Sequence, residues 1–362
     1  MRFLPPAGGG SSPTADRSEE TGRQHRRRAV PASACGCGVS VCRYSHNLGP
    51  MIIGIDVGGT KASALLVDAR SAAVVDRDRA SSAGDGPALV AALAALVATL
   101  RNRSPEPVEA VGLGIAGLTD RSGTLTWSPN LPRVVGHPVG PALERTVGLP
   151  VTVGNDATAA TLAEVRFGAG RDCDDLALVT LGTGIGGGFV LGGHLQQGAH
   201  GFSGEPGHMV VDAGGPVHLS GLRGPWEHYA SGNALGRLGS EAAAAGTFDR
   251  GVALAGSPDA VTGFHIVEAM AAGDPQAAAV FDRWCTEVAR GIANLIVLLD
   301  LSRVVLGGGI TEVGEPLRDG VATALAGLLP GAGARPPVEV VLAQLGPDAG
   351  AIGAALMAVD PG

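Results

Sequence analysis

Twice along this chain an apolar run delivers a strand straight into a turn built largely of glycine. That pairing restricts the fold more than any other feature. The first run, residues 52–56, ends in Asp56-Val57-Gly58-Gly59-Thr60-Lys61. The second, residues 176–181, ends in Leu181-Gly182-Thr183-Gly184-Ile185-Gly186-Gly187-Gly188. Glycine lets a backbone approach a ligand with no Cβ in the way, and N–H groups at a strand end, with a hydroxyl and an ammonium beside them, suit phosphate oxygens. Taken singly, each run also fits an ordinary tight strand reversal. Two of them opening successive units, with a third glycine approach at Gly307-Gly308-Gly309, fit two similar lobes clamping one nucleotide. Lys61 is the only lysine in the chain, which singles out a compact point charge for the first turn.

Around these turns the hydrophobic pattern alternates strands with helices. The first unit reads as strands at 52–56, 62–67 and 73–76, a helix at 87–100, a strand at 108–115, a helix at 141–147, a strand at 151–153 and a helix at 157–167. The second reads as the strand 176–181, a glycine hairpin over 182–193, and helices at 226–240, 266–272 and 277–299. A strand at 303–306, a helix at 317–329, a strand at 338–342 and a helix at 349–358 complete it. Such alternation predicts an α/β fold, and no repeat of fixed period runs through it. With 362 residues, 45% of them hydrophobic and 17% charged, the chain is long and apolar enough for two cores.

A net charge of −8 leaves no basic field for nucleic acid or an anionic membrane, and no apolar run is long enough to span a bilayer. Five cysteines, three of them at Cys35, Cys37 and Cys42, do not make a disulfide framework, so the expected location is the cytoplasm. Residues 1–50 are rich in Gly, Ser, Pro and Arg and lack apolar periodicity; they are expected to be a disordered, functionally silent tail.

Two further motifs carry polar chemistry. In Gly154-Asn155-Asp156-Ala157 a strand runs into a helix. Asp156 fits an N-cap there, and equally a general base whose ionised form the helix N-terminus favours, with Asn155 as a hydroxyl-binding amide. In Gly204-Glu205-Pro206-Gly207-His208, followed by Trp226-Glu227, carboxylates and an imidazole on loops suit either solvent or a polyol.

In their order and register these motifs resemble the ROK family of sugar kinases and repressors, and within it the bacterial ATP-dependent glucokinases. The likeness covers residues 51–362. By that resemblance DVGGTK at 56–61 matches the phosphate loop, and 181–208 matches the family signature. Asp156 matches the catalytic base, while Gly117, Asn130, Asn155, Glu205, His208 and Glu227 match the sugar ligands. Asp56, Gly58, Gly59, Thr60, Lys61, Gly182, Thr183, Gly184, Gly307 and Gly308 would then hold ATP and its Mg²⁺.

The resemblance implies the two-lobed actin-like ATPase (ribonuclease H-like) fold, with its active site in the cleft between lobes. A small domain would cover 51–165, completed by the C-terminal helix within 343–362, and a large one 166–342. Glucose is the expected acceptor. N-acetylmannosamine or another hexose, polyphosphate as donor, and a sugar-sensing repressor are the alternatives. Residues 1–50 show no periodicity for the helix-turn-helix a repressor carries. A homodimer or homotetramer is expected. The family's structural zinc is expected to be absent: counted from His208, the positions of its three cysteines fall on His218, Ser220 and Pro225.

Overall fold

The computed structural model of the chain describes residues 51–331 and 333–359. The expectations for residues 1–50 (a disordered, functionally silent tail without a helix-turn-helix) lie outside them.

The first sheet grows from the first glycine turn. Strand β1 (Met51–Val57) pairs antiparallel with β2 (Lys61–Asp68), and β2 with β3 (Val74–Ser81). Helix α1 (Gly86–Arg103) then carries the chain to β4 (Val108–Ile115), which lies parallel to β1. A two-stranded ribbon, β5 (Leu118–Thr119) with β6 (Leu125–Trp127), precedes helix α2 (Val139–Val147). Strand β7 (Val151–Asn155) joins parallel to β4 and leads into α3 (Asp156–Phe167). The order is β3-β2-β1-β4-β7.

The second sheet repeats that plan. Strands β8 (Leu176–Leu181), β9 (Ile185–Leu191) and β10 (His194–Leu195) run antiparallel. Five helices follow: α4 (Trp226–Ala230), α5 (Gly232–Ala244), α6 (Asp249–Ala255), α7 (Gly263–Ala271) and α8 (Pro275–Leu299). Strand β11 (Arg303–Gly307) then pairs parallel with β8, α9 (Glu315–Ala326) crosses over, and β12 (Glu339–Leu342) pairs parallel with β11. The order is β10-β9-β8-β11-β12, the same as in the first sheet. Five helices stand between β10 and β11 where the first unit has α1 alone between β3 and β4, which is why no fixed period is visible along the chain.

Helix α10 (Ala349–Val359) returns to the first sheet and lies against β1 and β4. Its backbone comes so close that a Cβ on Gly54 would sit 2.7 Å from Ala355 N, and one on Gly112 3.1 Å from the same atom. Glycine at both places is what admits the helix.

Local chemistry explains where the elements depart from the periodic pattern. Helix α8 begins at Pro275, before the apolar stripe, because the Asp274 carboxylate accepts the N–H groups of Gln276 at 2.8 Å and Ala277 at 2.9 Å. The expected single helix over 226–240 is broken at Ser231, which ends α4 and caps α5 by accepting the Ala234 N–H at 3.3 Å. Strand β3 extends to Ser81 as an edge strand whose alternating Asp and Arg residues carry no hydrophobic signal.

Candidate functional site

The residues singled out in the sequence lie at the carboxyl ends of parallel strands, where open α/β sheets place their ligands. Asp56 is near the end of β1, Gly117 just past β4, and Asn155 ends β7 with Asp156 beyond it. In the other lobe Gly182 follows β8, and Gly307 ends β11 with Gly308 beyond it.

One group of side chains gathers around Glu205. Asn155 Nδ2 donates to the Gly117 carbonyl at 3.3 Å and to Glu205 Oε1 at 3.4 Å, and His208 Nε2 lies 3.8 Å from Glu205 Oε2. The Trp127 ring meets the His208 imidazole edge-on, with centroids 5.4 Å apart. Glu227 comes in from the start of α4, and its Oε2 accepts the Ile185 N–H at 2.8 Å. That contact ties the carboxylate to the glycine hairpin, and it fixes the residue at 184: a Cβ there would collide with Glu227 Oε2 and stand 3.0 Å from its Cδ. Burial first, then the charges of Asp156 and Glu227, push the Glu205 carboxyl up to about 7. Burial lowers the His208 imidazole pKa, with Glu227 pulling the other way.

A second group lines a cavity of about 330 Å³ formed by Asp56, Asp156, Thr180, Gly307, Gly308 and Thr311 among others. Among the described residues four carboxylates border it, Asp56, Asp156, Glu164 and Glu312, and no lysine or arginine does. Burial and then the Asp156 charge push Asp56 up to about 7, while Lys61 draws it down. Asp156 itself is raised above the usual carboxylate range by burial, against the backbone N–H groups at the start of α3. Burial therefore outweighs the helix N-terminus, which the sequence pattern had suggested would favour the ionised form.

The capping assignment changes as well. Asn155, not Asp156, is the N-cap of α3: its Oδ1 accepts the Thr158 N–H at 3.0 Å. Asp156 is the first residue inside the helix, and its Oδ1 accepts the Ala157 N–H at 2.9 Å.

The first glycine turn lies apart from the cavity lining. Gly58, Gly59, Thr60 and Lys61 do not border the cavity, nor do Gly182, Thr183 and Gly184, and Thr60, Lys61 and Thr183 are exposed. Gly59 instead packs against exposed Asn130, whose carbonyl oxygen would be 3.0 Å from a Cβ.

Sequence reasoning passed over Ser82 and Arg121. Ser82 is fully buried; its hydroxyl donates to Gly58 O at 2.6 Å and its N–H to Thr60 O at 3.2 Å, holding the first turn in shape. Arg121 donates to Gly198 O at 2.7 Å and Ala199 O at 3.2 Å, joining the β5–β6 turn to the loop after β10. Neither has a sequence signal, since their bonds run to backbone carbonyls far along the chain.

The model of the ROK family matches residues 52–360. The chain belongs to the ROK family. A glucokinase of Streptomyces coelicolor is 36% identical over 315 residues, covering 86% of this chain and 98% of that protein. An N-acetylmannosamine kinase of Escherichia fergusonii is 34% identical over 308 residues, covering 84% of this chain and 97% of that protein. Among solved structures, a ROK family glucokinase from Streptomyces griseus in complex with glucose and AMPPNP superposes with a TM-score of 0.75 at 38% identity, covering 85% of this chain and 99% of that one. The two sheets are thus the two lobes of the actin-like ATPase fold.

At the positions expected to correspond to the family's zinc ligands, this chain has His208, His218, Ser220 and Pro225. Among the described residues His208 Nδ1 is buried without a hydrogen-bond partner. His218, however, turns one nitrogen to Glu227 and the other to Ser220, and Pro225 has no donor atom in its side chain. Among the described residues no three His, Cys, Asp or Glu side chains are grouped to hold a metal ion. Among the described residues, too, no helix is long and apolar enough to cross a membrane.

Proposed function

We propose that this chain is an ATP-dependent hexose kinase that phosphorylates glucose on its 6-hydroxyl, with Asp156 as the general base. One observation carries the reading: Asp156 lines the cavity and follows Asn155, which bonds Glu205 in the other group. It lines the cavity with Asp56, Gly307 and Gly308, and its charge is felt by Asp56 on one side and Glu205 on the other. A proton acceptor between a phosphate site and a polyol site is what phosphoryl transfer to a sugar requires. The relatives named glucokinase support glucose as the acceptor.

In the mechanism, Gly117, Asn130, Asn155, Glu205, His208 and Glu227 bind the hexose hydroxyls and aim the 6-oxygen at the γ-phosphorus. Asp156 takes the hydroxyl proton as the oxygen–phosphorus bond forms; the bond from the γ-phosphorus to the β–γ bridging oxygen breaks, and ADP leaves. Lys61, Thr60, Gly58 and Gly59 from one lobe, and Gly182, Thr183 and Gly184 from the other, converge on the phosphates as the lobes close over the sugar. A small lobe of 51–165 with the C-terminal helix would close on a large lobe of 166–342. Asp56 and Asp156 fit a divalent cation, because each disfavours the other's ionisation until positive charge arrives. Mg²⁺ held there with ATP would supply that charge and neutralise phosphate oxygens.

The glucokinase neighbour solved with AMPPNP supports ATP as the donor. N-acetylmannosamine is the second acceptor to consider, given the relative of that name. Coupled ADP release should be measured with glucose, mannose, N-acetylglucosamine and N-acetylmannosamine. The highest kcat/KM should fall on glucose. A preference for an N-acetylated sugar would move the substrate assignment, and no sugar-dependent release would remove it.

A further inference from the structure

Glu227 is held from two sides. Ile185 N–H grips Oε2 at 2.8 Å, and His218 Nε2 stands 3.4 Å from Oε1. What orients His218 is Ser220, two residues on. The Ser220 backbone N–H points at His218 Nδ1 at 3.4 Å, and the Ser220 hydroxyl lies 3.2 Å from the same atom. A nitrogen that receives an N–H acts as an acceptor, so the neutral ring carries its proton on Nε2, facing the Glu227 carboxylate. Both side chains are mostly shielded, 18% and 20% exposed, so water competes weakly for the contact.

The segment that carries His218 is pinned. Val210 bridges to Pro225 and Val217 to Arg223, and the His218 N–H donates to Leu222 O at 2.8 Å. Its far end is anchored by Trp226, fully buried, whose indole N–H donates to Glu287 O at 2.8 Å. The imidazole is thus presented by a fixed loop.

We propose that His218 is a positioning residue for the sugar site: its Nε2–H holds the Glu227 carboxylate against Ile185 N–H, in the orientation that receives the hexose. The proposal rests on the reading of Glu227 as a sugar ligand. Without His218 the carboxylate keeps one anchor and can rotate off the hairpin, so sugar affinity falls while Asp156 and the donor cavity stay as they are.

The test compares wild type with His218→Leu and His218→Gln. Glutamine can place an amide N–H where Nε2 stood, whereas leucine fills the space with no donor. His218→Leu should raise the KM for glucose about tenfold and leave kcat within about twofold, the pattern of lost uniform binding. His218→Gln should restore most of the affinity. A backbone amide spectrum gives a second readout that needs no turnover: the Ile185 resonance should shift in the leucine variant and stay near its wild-type position in the glutamine variant.

A wild-type KM in His218→Leu would overturn the proposal. Equal loss in both variants with a lowered Tm would also overturn it, by showing a packing role. If wild type neither binds nor phosphorylates glucose, the functional reading fails separately; an unmoved Ile185 amide in His218→Leu would then still refute the hold on Glu227.

Discussion

Replacing Gly184 with alanine probes the junction between the glycine hairpin and the sugar cluster with a single methyl group. The backbone at 184 does not have a positive φ, so alanine brings no conformational penalty. The methyl would overlap Glu227 Oε2 and lie 3.0 Å from its Cδ. The hairpin is fixed by β8–β9 pairing and by the Gly232 N–H bond to Gly182 O at 2.7 Å, so the carboxylate gives way instead. Moving it breaks the 2.8 Å bond from Ile185 N–H. A hydrogen bond to a charged group contributes about 1.5–3 kcal/mol. At about 1.4 kcal/mol per decade, kcat/KM for glucose should fall about ten- to a hundredfold. The assay pairs steady-state kinetics with calorimetric glucose binding in the absence of ATP, so that loss of sugar affinity is read separately from turnover. A Gly184→Ala enzyme that binds glucose as wild type does would refute the claim that Glu227 must lie against the hairpin.

Asp156→Asn should fold and bind glucose but lose about 10²–10⁴-fold in kcat, because the amide cannot take the proton; retention of more than a tenth of wild-type turnover would falsify its role as base. Burial first, then the Asp156 charge, push the Asp56 carboxyl up to about 7 from its ordinary 3.8, so the stability it contributes is present below about 4 and lost as pH rises through about 7. The ligand-free protein should therefore lose Tm between about pH 4 and 7 more steeply than Asp56→Asn does, and parallel slopes measured by calorimetry would contradict this. Metal analysis of protein purified without an affinity tag should give well under one zinc per chain, and a stoichiometric zinc resistant to dialysis would point to His208 and His218 as ligands.

The sequence carried the fold wherever apolar runs ended in glycine or alternated with helical stripes: β1, β4, β8 and α3 lie within a residue or two of their periodic patterns. It carried only the first residues of β3, because the Asp–Arg alternation beyond them reads as surface, and it did not carry the β5–β6 ribbon, whose short strands hold no period. The shared strand order of the two sheets was hidden by the helices inserted after β10. At the site, Asn155, Asp156, Glu205 and Glu227 were legible because each sits in a motif. Ser82 and His218 were not legible as partners, since a hydroxyl reaching the Gly58 carbonyl and an imidazole reaching Glu227 are long-range contacts. The cap on α3 was misplaced by one residue, because Asn and Asp are nearly equivalent as N-caps and only geometry separates them.

The central claim is that Asp156 stands between a donor cavity and a sugar cluster and moves a phosphoryl group from one to the other. Phosphorus NMR of a reaction containing the protein, Mg²⁺, ATP and glucose tests it most directly. The account predicts a new phosphomonoester signal split by the two hydrogens of the sugar's 6-carbon, growing with the ADP signals and absent with Asp156→Asn. Inorganic phosphate as the only product, a phosphoryl group on the anomeric oxygen, or equal product from Asp156→Asn would contradict it.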